Sequence, residues 1–139
     1  MRTSAPKHTT LLAIDFMAAG DAGSAAPHLA AAVRHYQNPD HFEGLTRCLG
    51  ALSALALERD DPHLAARLIG TAAAVRDRFG FKPWPYVTQA ERPAIQRAAA
   101  LLPDGEYTAQ LAAGRSQAID DALTAALPIL QDRQPAATR

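Results

Sequence analysis

The segment Asp61 to Gly80, DPHLAARLIGTAAAVRDRFG, carries both its own start and its own stop. Asp61 is a good N-cap, and Pro62 fits the first helical position, where its missing N–H costs nothing. Leu64, Leu68, Ala72, Val75 and Phe79 follow at steps of three or four and line one face. Arg76 and Arg78 fall in the last turn, where cations favour the helix dipole, and Gly80 stands where a left-handed cap is expected. The spacing predicts a complete amphipathic helix. The words Pro27–Ala31 and Pro62–Ala66 both read PHLAA, a repeat of about 35 residues, near the ~34-residue tetratricopeptide period.

Composition extends this to the whole chain. Ala is about a quarter of the 139 residues and aromatics are only 6%, which favours helix over sheet. A single all-α domain over residues 1–139 is expected, with loose termini at 1–7 and 131–139. The formal net charge is zero, so no electrostatic footprint for nucleic acid or an anionic membrane is present. Cys48 is the sole cysteine, which rules out an internal disulfide and fits a cytoplasmic setting. Asp15 interrupts the apolar run LLAIDFMAAG, against a secretory leader, and no run approaches the ~20 apolar residues of a membrane span.

About seven helices are expected. The first covers about residues 9–19, with Leu12, Phe16 and Ala19 on one side. The second carries Leu29, Ala32, Val33 and Tyr36 and starts either after Asp21 or at Pro27. Asn38–Pro39 breaks it. Asp40 and Glu43 form a near capping box opening a third helix with Phe42, Leu45, Leu49, Leu52 and Leu55. Beyond the Phe79–Val87 connector, Thr88 and Glu91 form another such pattern, with Pro93 kinking the helix or delaying its start. A short helix from Asp104 is expected to stop at Gly114. Ser116 then caps a last helix with Ile119, Leu123, Leu127 and Leu130 facing inward. Antiparallel hairpins of this kind bury their apolar stripes by stacking, which gives a tetratricopeptide-like, short right-handed array.

Residues 20–130 resemble the C-terminal helical region of actinobacterial LuxR-type and STAND ATPase regulators. The likeness rests on Asp60–Asp61–Pro62 before a small-residue helix, on Pro83 and Pro85 before Ala90–Glu91–Arg92, and on Tyr107 leading to Gly114–Arg115. Ser116 to Ala122 completes it. Leu111 stands where the family has an aromatic, and Pro93 is unusual for it. The resemblance implies a protein-interaction or sensor arm, with upstream regulator modules or another protein as partner. No G-x-x-x-x-G-K-S/T phosphate loop occurs, and too few residues follow the last helix for a helix-turn-helix. The chain is therefore expected to be an isolated helical segment, a fragment or a short stand-alone protein, that binds neither ATP nor DNA by itself.

The residues offer little chemistry. His28, His35 and His41 could share a metal, but no carboxylate stands at ligand spacing, and His63 repeats His28 as an exposed helical position. Cys48 sits beside Leu49 and Leu52, the setting of an inert buried thiol. Asp60–Asp61 and Asp120–Asp121 sit at helix starts, where carboxylates cap free N–H groups. No catalytic residue, cofactor or metal is assigned. The alternative class is a small helical enzyme or metal-binding domain. An exposed array end is open to self-association. Phe81, Trp84 and Tyr86, between prolines, are the candidate partner-binding residues, either as an aromatic docking lip or as a cover for the end of the stack.

The prolines at 83 and 85 restrict the backbone around Trp84, and burying an indole removes ~150–250 Å² from water. The expected outcome is blue-shifted fluorescence from this sole tryptophan, with little quenching by acrylamide. Red-shifted, easily quenched emission would favour the docking lip.

Overall fold

The computed structural model describes residues 13–17, 19–36, 42–80, 82 and 85–131; of residues 35, 36, 42, 43, 86 and 87 it describes the backbone alone. A helical segment at 13–17 precedes α1 (Ala22–Tyr36), α2 (Phe42–Glu58), α3 (Pro62–Phe79), α4 (Pro85–Leu101), α5 (Glu106–Ser116) and α6 (Ile119–Leu130). These are seven helical stretches, with no strand among the described residues. The chain is all-α, as its composition implies.

Two turns of one design join the early helices. At each, the chain leaves a helix through a left-handed residue and an aspartate opens the next helix. Gly20 has φ 80°, and Asp21 N–H donates back to the Phe16 carbonyl at 2.8 Å. Asp60, the one non-glycine with positive φ among the described residues, repeats this at φ 63°, with Asp61 N–H donating to the Ala56 carbonyl at 2.8 Å. These are Schellman closures. Asp21 then accepts from the Ser24 N–H and Asp61 from the Leu64 N–H, each at 3.1 Å. The start of α1 is thus the one after Asp21. The matching turns lie 40 residues apart, whereas the PHLAA words do not match in place. Pro62 opens α3, but Pro27 lies inside α1. The 35-residue period is a likeness of words and not the structural period.

The core centres on α2 and α3. Leu45, Leu49, Leu52 and Leu55 of α2 are fully buried, and Leu64, Leu68, Ala72 and Val75 of α3 are nearly so. Helix α3 packs against α2, α4, α5 and α6, while α6 returns to contact α1 and α2 as well. An open array contacts only its sequence neighbours; here the last helix closes back on the first.

Five local expectations are corrected. Helix α4 starts at Pro85, not Thr88, with Pro85 in the first-turn position that suits it; Pro93 therefore lies in the helix interior. Helix α5 begins at Glu106 and runs through Gly114 to Ser116. Ser116 ends that helix instead of capping α6, whose N-cap is Ala118 without a side-chain bond. On α6, Leu123 is buried and Ile119 and Leu130 pack against the core as expected, together with Ala122, Ala126 and Ile129, but Leu127 is 42% exposed; at the end of α3, Phe79 is 46% exposed. The first helix before residue 13, the Asn38–Pro39 break, Asp40 and the polar tail lie outside the described residues.

Gly114 does not stop its helix because its role is tertiary. A Cβ there would collide with the Arg67 carbonyl of α3, and one at Gly70 would collide with the Leu111 carbonyl of α5. The hydrogens in those places point at the oxygens, the geometry of weak Cα–H···O contacts. Thr71 Oγ1 adds a hydrogen bond to the Gly114 carbonyl at 2.8 Å, beside the Gln117 N–H that the same carbonyl accepts at 3.2 Å.

Replacing glycine by alanine inside a helix normally adds about 1 kcal/mol of stability. Gly23→Ala, in the first turn of α1, would meet only Asp21 Oδ1 at an ordinary 3.9 Å and should show part of that gain. Gly114→Ala must push two backbones apart and should instead lose about 1–3 kcal/mol in urea unfolding.

Candidate functional site

Positions 50, 51, 54, 57 and 58 of α2 recur at helical steps and so share one face. Three of them, Gly50, Ala51 and Ala54, are small. That face cannot fill the space toward α4 and the 13–17 segment, and a cavity of about 380 Å³ remains. Ile14, Met17, Ala51, Ala54 and Leu57 give it apolar walls, while Arg47, Glu58, Glu91 and Arg97 supply charge.

Glu91 is the best-organised polar group of this site. It points from α4 onto the bare backbone of α2 at Gly50, where any Cβ would run into its carboxylate. Both carboxylate oxygens accept from Arg76 of α3, Oε1 from Nη1 and Oε2 from Nη2, each at 3.0 Å. Only 15% of the arginine side chain and 13% of the glutamate side chain remain exposed. Fork-to-fork pairing of this type fixes orientation as well as energy. Removing one partner would leave a largely buried charge. The second bridge from α4, Arg97 to Glu58 at 3.3 Å, is about half exposed and contributes little.

A second cavity of about 290 Å³ lies beside Thr71 and Val75 of α3, at the α5–α6 junction, with Arg78 and Arg115 at its edge. Arg115 is engaged with Asp77 at 2.6 Å, and Asp120 and Asp121 occupy the first turn of α6. Asp77 thus already answers the charge of Arg115 at this corner.

Of the residues singled out from sequence, Phe81 and Trp84 lie outside the described residues, and Tyr86 is known only as backbone in α4. His28 stacks on Phe16 with ring centroids 5.5 Å apart, which ties the 13–17 segment to α1. His41 and the His35 side chain lie outside the described residues, among which no three His, Cys, Asp or Glu gather as metal ligands. His63 is half exposed and 3.5 Å from Glu106. Asp61 caps α3, as expected of it. Arg76 and Glu91 were each legible only as local features, a last-turn cation and a capping-box acid. Their pairing across 15 residues carries no local signal.

Comparisons with protein-family models, curated proteins and solved structures find no match to this chain. Among the described residues, no helix is long and apolar enough to cross a membrane.

Cys48 is fully buried, and desolvation pushes its thiol from an ordinary 9.0 up to about 12. Between those values the unfolded chain releases a proton that the folded one keeps. This group therefore lowers stability as pH rises, by about 1.4 kcal/mol per unit. Native protein at pH 8 should resist thiol-reactive disulfides and react quantitatively once unfolded in urea. Cys48→Ala should flatten the alkaline loss of stability between pH 9 and about 12. Rapid labelling of the native protein would contradict this placement of the thiol.

Proposed function

We propose that this chain is a non-enzymatic protein-interaction or sensor module. In this reading it is a small set of packed helices similar in role to the C-terminal arm of LuxR-type and STAND regulators. The observation that carries the proposal is the cavity between α2 and α4. Its walls are apolar, its rim holds both charge signs, and it opens between packed helices, where helical modules take up partner segments. An apolar cavity of ~150 Å³ already takes a benzene ring, so this one has room for two apolar side chains. The proposed occupant is a segment of a partner protein, an upstream regulator module in the first instance, presenting apolar anchors between polar residues. The groups around the cavity suit holding better than reacting. Glu91 has both oxygens engaged by Arg76, and Glu58 is engaged by Arg97.

Selection of displayed random peptides on the immobilised protein tests this directly. The expected result is a family of peptides converging on one or two apolar anchors with charged flanks. Ala54→Trp, which fills the cavity, should weaken their binding on the order of tenfold or more while the helical circular dichroism is kept. Failure of the peptides to converge, or binding indifferent to Ala54→Trp, would contradict the reading.

A further inference from the structure

Helix α4 is attached to the body differently from its neighbours. Of its described side chains only Ala94 and Ala98 are buried, with Leu102 just beyond its end, whereas α2 buries five leucines. Apolar area sets the strength of docking, so the described side chains of α4 gain far less from burial than those of α2. Ile95 and Leu101 face solvent, at 37% and 54% exposure. Pro93 deprives the Gln89 carbonyl of its helical donor, and both residues line the cavity. Gly80 and Gly105, with φ of 69° and 85°, lie on either side of the helix. Among the described residues, the best-oriented polar attachment of α4 to the body is the Arg76–Glu91 pair set over Gly50, beside the more exposed Arg97–Glu58 bridge.

We infer that α4 is a latched lid over the α2 face of the cavity, and that the Arg76–Glu91 pair is its latch. Release of the pair lets α4 swing away while α2 and α3 stay folded, uncovering Gly50, Ala51 and Ala54. Helix α4 is thus a cooperative unit of lower stability than the core on which it rests. Such a lid regulates the groove by population: a segment that binds only the open state has an apparent affinity reduced by the open fraction. The use of this motion rests on the groove reading above, whereas the motion itself does not.

Native-state hydrogen exchange followed by mass spectrometry tests the lid without any ligand. In the unaltered protein, α4 peptides should exchange on the order of tenfold or more faster than the buried turns of α2 and α3. Gly50→Ala, which forces the Glu91 carboxylate off its seat, should speed α4 exchange by a similar factor and leave the α2 and α3 cores unchanged. Glu91→Gln, close in shape but uncharged, should do the same. Exchange of α4 in step with α2 and α3 in the unaltered protein would overturn the lid, as would variants that speed all helices alike. Neither result depends on peptide selection, so the lid and the groove fail separately.

Discussion

The contact that most of this structure depends on is the meeting of two helix backbones, α3 and α5, with no side chain between them at Gly70 and Gly114. The chain is rich in Ala and poor in large apolar residues, and an alanine surface gains little from burial at ~25 cal/mol per Å². Close approach compensates, because backbone atoms that touch gain dispersion and weak Cα–H···O contacts that a larger side chain would hold apart. Thr71 reinforces the crossing by donating to the Gly114 carbonyl. Helix α3 is thereby braced on one side by α5 and on the other by the leucines of α2. Helices α4 and α6 assemble on this braced centre.

The same economy of side chains produces the candidate site. Where α2 presents Gly50, Ala51 and Ala54, the helices leave a cavity, and a buried ion pair takes over part of the role that apolar contact plays elsewhere. Such a pair gives orientation more surely than net stability, since desolvation offsets much of the attraction. The described side chains of α4 bring that pair and two buried alanines to its contact with the body.

Sequence was informative wherever the signal was local. Helix α3 could be read entire from Asp61, Pro62 and Gly80, because a cap, a first-turn proline and a left-handed glycine each act within their own turn. The leucines of α2 were legible from spacing alone. Reading failed where a residue serves a distant neighbour. Gly114 looked like a stop and is a contact surface for α3. Glu91 looked like a capping acid and is the partner of Arg76. Ser116 looked like a cap, yet α5 runs on to include it. The PHLAA words suggested a period that the turns at Gly20–Asp21 and Asp60–Asp61 do not keep. The cavity was invisible because alanines that line a void and alanines that fill a core have the same spacing.

The central claim, that α3 and α5 meet backbone to backbone through one shared crossing, is tested most directly by a double-mutant cycle of Gly70→Ala and Gly114→Ala in urea unfolding. If both glycines serve the same approach, the first methyl group already forces the helices apart and the second adds little. The double variant should then be less destabilised than the sum of the singles by about 1 kcal/mol or more. Losses that add to within ~0.5 kcal/mol, or single variants that gain stability as exposed helical positions do, would contradict the account.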